Sequence, residues 1–160
     1  MSEFCVEGLR AEGLRAEILR AAKLWLDTPY QHQAASRGAG CDCLGLIRGI
    51  YREVYGAEPV APPPYTPDWA EQNGTETLRE AAHEWLDEIP IAKTQPGDVV
   101  MFRMLPDAPC KHIGILSAPH ILTHAYWGRA VVESHMVPYW RKRWVHSFAF
   151  PTDLKQKIKR

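Results

Sequence analysis

Cysteine and histidine are the residues with which this chain could do covalent chemistry, and it holds four of the first and seven of the second. One cysteine stands out by its position. In Gly40-Cys41-Asp42-Cys43-Leu44-Gly45-Leu46-Ile47 a polar turn gives way to an amphipathic pattern. This places Cys43 at the first position of a helix, partly exposed. The first helical turn has unpaired N–H groups and the positive end of the macrodipole, and both favour a thiolate over a thiol. Asp42 is the natural N-cap. Its carboxylate must turn toward the backbone, because a negative charge beside the sulfur would raise the thiol's pKa. A cysteine so placed is a nucleophile only if a base reaches it.

The candidate base is His112, which begins the strand His112-Ile113-Gly114-Ile115-Leu116; a second imidazole, His124, lies in Ile121-Leu122-Thr123-His124-Ala125-Tyr126. A three-residue hairpin loop at Ser117-Ala118-Pro119 sets Leu116 opposite His120 and, stepping back along both strands, His112 opposite His124. Opposed side chains share a face, so one imidazole could orient the other as the third member of a triad orients its base. A one-residue slip would separate them. A rival chemistry uses overlapping residues: Cys41-x-Cys43 with Cys110-x-His112 is a set of four zinc-type ligands, although the one-residue gaps are tighter than the usual spacing. That would make the chain a zinc-binding assembly module. His32, His83, His120, His135 and His146 read as surface or hydrogen-bonded histidines, Glu133 as an exposed strand carboxylate, and Cys5 as inert.

The positioning elements follow from periodicity. Ala11, Leu14, Ile18, Ala21, Ala22 and Trp25 recur at helical spacing within three near-copies of a pentad, predicting an amphipathic helix that ends near Asp27. After Cys43 a second helix buries Leu46, Ile47, Ile50, Tyr51, Val54 and Tyr55 and stops at Gly56. Gly45 and Gly49 share one of its faces, each costing about 1 kcal/mol of helix propensity relative to Ala, which implies a close neighbour there. Five prolines between 57 and 72 make a stiff connection, and a third helix is predicted over roughly 75–88. From Gln95 the period becomes alternating. Short strands are predicted over 99–104, 111–116, 121–127, 130–134 and 144–150, forming an antiparallel meander. Helices first and strands second make an α+β domain.

Length and composition bound the rest. One domain spans residues 1–160, with a basic tail over about 152–160, and its 46% hydrophobic and 24% charged residues suit a globular protein. The formal net charge of zero argues against nucleic-acid partners, and no window approaches a membrane span. The first residues lack the basic start and apolar run of a signal peptide. Synthesis in the cytoplasm is therefore expected, with thiols and not disulfides, and any task outside it needs another exit route.

Five pieces in order carry a resemblance: Thr28-Pro29-Tyr30, Asp42-Cys43-Leu44-Gly45-Leu46, Pro96-Gly97-Asp98-Val99-Val100-Met101-Phe102, His112-Ile113-Gly114-Ile115 and Thr123-His124-Ala125. From about Trp25 to Glu133 the chain resembles the NlpC-type cell-wall cysteine peptidases. The resemblance implies a papain-like α+β fold, with N-terminal helices packed on a C-terminal antiparallel sheet. It also implies hydrolysis of peptide stems in bacterial peptidoglycan with no cofactor. On that resemblance Cys43 is the nucleophile, His112 the base and His124 the orienting residue; Tyr30 lines the site, and the Cys43 amide with Tyr30 would hold the oxyanion beside Asp42. Leu44 departs from the small residue usual after the cysteine. The doublet Cys41-Asp42-Cys43, the segment Tyr65-Thr66-Pro67-Asp68-Trp69 and the tract from Val132-Glu133-Ser134 to Trp140-Arg141 resemble the branch found in phage tails and gene transfer agents. Tail hub proteins then become candidate partners, and a structural tail-tip role without hydrolysis becomes the alternative.

Overall fold

The computed structural model describes residues 3–58, 65 and 74–154. The proline-rich connection, all of Tyr65-Thr66-Pro67-Asp68-Trp69 except Tyr65, and the last six residues of the basic tail therefore lie outside the described residues.

Helix α1 (Glu3–Leu24) carries the long apolar row, and its last turns bury Ile18, Ala21 and Ala22, with Trp25 just beyond. It begins earlier and ends sooner than the pattern predicts: Asp27 already has a left-handed φ of 66°. The loop that follows holds a two-residue ribbon, β1 (Ala35–Ser36) with β2 (Gly40–Cys41). This delivers the chain to α2 (Cys43–Tyr55), capped at its end by left-handed Gly56. The glycine pair in α2 is explained by contact. A Cβ at Gly45 would lie 1.8 Å from the Ala34 carbonyl oxygen, and one at Gly49 would lie 2.0 Å from the Trp25 ring. Backbone thus approaches at the first, and an indole fills the second.

Helix α3 (Thr77–Trp85) is shorter than predicted, because Asp87–Ile89 leaves the helix to form strand β3. The other strands are β4 (Val99–Phe102), β5 (His112–Ala118), β6 (Ile121–Ala125), β7 (Val131–His135) and β8 (Trp144–Ala149); a single helical turn, α4 (Pro138–Arg141), precedes β8. They form one six-stranded antiparallel sheet in the order β3-β8-β4-β5-β6-β7. Only β4 to β7 run as a meander. The chain then returns across the sheet so that β8 lies between β3 and β4, a long-range pairing that no local pattern announces.

Alternation along the strands splits the core in two. Val99, Met101, Ile113, Ile115 and Phe148 face the helices and pack with Ile18, Ala22, Trp25, Leu46, Ile47 and Ile50. Each such side chain contributes roughly 1.5–3 kcal/mol by leaving water. The opposite face holds Val100, Phe102, Leu116 and Leu122, covered by Met136 and Trp140. The fold is the α+β arrangement expected, with helices on one face of an antiparallel sheet.

The β5–β6 hairpin corrects one expectation. Ile115 pairs with Thr123 and Leu116 with Leu122, after a bulge near Ala118. This differs from the predicted register by two residues, so His112 and His124 are diagonal neighbours. A shift of two keeps every side chain on its face. Continuing the pairing brings Gly114 opposite His124, where a Cβ would crowd the His124 Cβ at 3.0 Å.

Candidate active site

The tip of α2 is built as a thiol site. Asp42 has extended backbone and caps the helix: its Oδ1 accepts from the Gly45 N–H at 2.7 Å, and its Oδ2 accepts from the Gln33 N–H at 2.7 Å and from the Tyr65 hydroxyl. The carboxylate is buried and turned to these donors, so Asp42 meets the cleft as the cap beneath the thiol, with both oxygens engaged away from it. The amides of Cys43 and Leu44, not used by the cap, point to the sulfur. The thiol lies 4.0 Å from the Lys111 carbonyl, and the Ile113 amide also reaches it. Sulfur therefore sits against the start of β5, at the backbone on either side of His112.

Burial first, then the Asp42 carboxylate, push the Cys43 thiol up to about 12; the three amides oppose this without overcoming it. The helix-terminus effect expected from the sequence is present but outweighed. Burial, and secondarily the neighbouring His124, hold His112 down at about 3, and burial holds His124 at about 4. These shifts favour a neutral thiol and neutral imidazoles over an ion pair at rest.

The imidazoles are joined. His112 Nε2 lies 2.7 Å from His124 Nδ1, and His124 Nε2 lies 2.9 Å from the Ser134 hydroxyl. Trp140 covers both rings, stacked on His112 with centroids 5.5 Å apart and edge-on to His124 at 5.0 Å. This indole helps to cover both rings from water. Cys43, His112, Tyr30, Asp42 and Trp140 line one open cleft of about 500 Å³, together with Tyr65, Lys111, Tyr126, Trp127, Tyr139 and His32. Tyr30 packs on Trp127 with ring centroids 5.3 Å apart. Burial above all raises its pKa, so its hydroxyl remains a donor.

The structure thus brings Cys43, His112, Tyr30 and Asp42 to one cleft and sets His124 directly behind His112. Sequence reasoning assigned no role to Ser134 or Trp140. Ser134 carries a weak signal, since it alternates with Val132 on β7, but Trp140 reaches the histidines through a helical turn that nothing local predicts. His32, read as an ordinary histidine, is hydrogen-bonded to the Tyr65 carbonyl at 2.8 Å and lines the cleft. The zinc alternative is not supported by the donor geometry. Among the described residues no three Cys, His, Asp or Glu side chains converge as an ion would require. Cys41 and Cys110 are both buried in the core, where the Cys110 backbone amide donates to Glu76.

Two expected results follow from these charges. Asp42→Asn removes the carboxylate that raises the thiol's pKa, so the pH midpoint for alkylation of Cys43, followed by peptide mass, shifts downward. The cap weakens at the same time, costing about 1–2 kcal/mol of stability; an unmoved midpoint would refute the electrostatic assignment. The second concerns acid. A histidine whose folded pKa lies below its ordinary 6.5 binds its proton more readily in the unfolded chain. The stability it confers is complete above 6.5 and declines as pH falls toward 4, by up to about 1.4 kcal/mol per pH unit per group. Glu58, Glu76 and Glu88 have lowered pKa values, so the stability they confer is lost only as pH falls below their ordinary 4.5. The unfolding temperature should drop between pH 6.5 and 4.5, and His124→Gln should flatten that drop.

Among the described residues no helix is long and apolar enough to cross a membrane. The NlpC/P60 family matches residues 27–149 of the chain. No curated protein matches the sequence. Among solved structures, the fold is shared with an NLP/P60 protein similar to lipoprotein from Staphylococcus aureus, at 20% identity and a TM-score of 0.59 over 86% of this chain and 41% of that one. It is shared with the NlpC/p60 domain of the peptidoglycan hydrolase SagA, at 20% identity and a TM-score of 0.59 over 85% of this chain and 98% of that one. A third is an NLPC/P60 family protein from Bacillus cereus, at 18% identity and a TM-score of 0.60 over 85% and 40%. The chain therefore spans about two fifths of the Staphylococcus and Bacillus proteins and nearly all of the SagA domain.

Proposed function

We propose that this chain, which belongs to the NlpC/P60 family, is a cysteine peptidase that hydrolyses peptide stems of bacterial peptidoglycan, with Cys43 as nucleophile, His112 as base and His124 as the residue that orients the base. The observation that carries this reading is the joint placement of the thiol at the α2 tip and the His112–His124 pair at one cleft. The family and the SagA domain point to the wall as substrate.

With both groups neutral at rest, His112 Nδ1 takes the Sγ proton as sulfur bonds to the scissile carbonyl carbon. The oxyanion formed is met by the Cys43 amide and the Tyr30 hydroxyl; a donor of this kind is worth roughly 10²–10³ in rate. Collapse breaks the C–N bond, and the amine leaves with the proton held by His112. A water, deprotonated by His112, then attacks the thioester, releasing the acid and restoring the thiol. Purified muropeptides incubated with the protein should yield shortened stems, identified by mass. Intact stems would overturn the reading, as would products cut in the glycan.

The finer reading is that the hydrolase rides on a phage-like tail, with hub proteins as partners, and acts in the periplasm or cell wall during penetration. It is supported by the Cys41-Asp42-Cys43 doublet, Tyr65 and the Val132-to-Arg141 tract, of which Asp42, Cys43, Tyr65, Tyr139 and Trp140 line this cleft and Ser134 bonds His124 behind it. Particles carrying Cys43→Ala should adsorb but fail to cross the wall. Normal penetration would favour a structural tail-tip role.

A further inference from the structure

His112, His124 and Ser134 form one straight diagonal across three strands. Gly114 on β5 stands opposite His124, and His112 is two residues before it; Val132 on β7 pairs with His124, and Ser134 is two residues after it. Because β5 and β7 run in the same direction, these offsets point opposite ways, with His124 in the middle. The two contacts of 2.7 and 2.9 Å therefore use both nitrogens of the His124 ring.

Two proton arrangements satisfy this row, since a neutral imidazole has one N–H and one lone pair. In the first, the Ser134 hydroxyl donates to His124 Nε2, His124 Nδ1–H donates to His112 Nε2, and the proton of His112 is left on Nδ1, where it cannot act as a base toward sulfur. In the second, Ser134 accepts from His124 Nε2–H, His124 Nδ1 accepts from His112 Nε2–H, and His112 Nδ1 is left with a free lone pair. Only the second can start the reaction. We infer that Ser134 is a positioning residue, whose oxygen holds His124 in the Nε2–H form and so keeps His112 Nδ1 open as the base. No proton passes to Ser134: when His112 takes the thiol proton it becomes imidazolium and continues to donate through Nε2, and the charge stays on that ring.

This inference rests on the peptidase reading for its consequence but not for its test, which begins with the protein alone. Long-range proton–nitrogen spectra of histidine-labelled protein at neutral pH report which ring nitrogen is protonated. The wild type should show Nε2–H at both His112 and His124. Ser134→Ala should give His124 as a mixture of forms, and Ser134→Thr, which keeps the hydroxyl, should restore the single form. With muropeptides, Ser134→Ala should lower kcat by about tenfold with KM little changed, and Ser134→Thr should recover most of it. A wild-type His124 protonated at Nδ1 would overturn the inference, as would a Ser134→Ala spectrum identical to wild type. A correct spectrum in a protein that cleaves no stem would leave Ser134's role intact and instead refute the peptidase reading.

Discussion

Cys43→Ala lowers the rate of stem-peptide hydrolysis by about 10⁴-fold or more while the protein stays folded. Removing the nucleophile of a covalent mechanism removes the first bond-forming step, and such losses in hydrolases reach about 10⁶-fold. Water held by His112 can supply only a slow residual rate. Cys43 is half-buried and its thiol meets only backbone groups, among them the Lys111 carbonyl 4.0 Å away, so the substitution should cost less than about 1 kcal/mol of stability. The measurement is initial rate on purified muropeptides beside the unfolding temperature of each variant. A retained rate would sink the assignment, whereas lost activity with lost folding would not support it.

Gly45→Ala should have the largest effect on stability. The added methyl would lie 1.8 Å from the Ala34 carbonyl oxygen and 3.1 Å from Asp42 Oδ1. Backbone cannot yield as a side-chain tip can, because Ala34 is tied on both sides: its N–H donates to Gln31 and its carbonyl accepts from the Asp42 N–H. The helix-propensity gain of about 1 kcal/mol does not offset a backbone collision. The expected loss is about 3 kcal/mol or more, a large part of a small domain's total. Gly8→Ala is the matched control, since nothing lies within 4 Å of its added methyl and α1 should gain helix propensity. Thermal unfolding of the two variants should move in opposite directions. Equal shifts would mean that the contact at Gly45 relaxes freely.

The local parts of the site were legible because their signals are short in sequence. Asp42 before Cys43 predicts a cap and a helix-tip thiol, and both are present. The glycine pair predicts close packing, and the structure supplies a carbonyl at one and an indole at the other. The two histidines fall on one face even though the hairpin bulge moves their register, because an error of two residues preserves the face and an error of one would not. What could not be read lies in distant pairing. Strand β8 enters between β3 and β4 from the far end of the chain, and β3 hides at the end of a helical pattern. Trp140 meets the imidazoles by crossing from α4. The thiol's resting state was also beyond reach, since the helix tip favours a thiolate and only the extent of burial decides that it loses.

Cys43 as the attacking atom is tested most directly by stepwise alkylation of the native protein, with activity and the modified positions followed together by peptide mass. The loss of muropeptide hydrolysis should track modification of Cys43 in proportion, while modification of exposed Cys5 leaves the rate unchanged and buried Cys41 and Cys110 remain unmodified. Full activity in protein whose Cys43 is fully alkylated would contradict the mechanism outright.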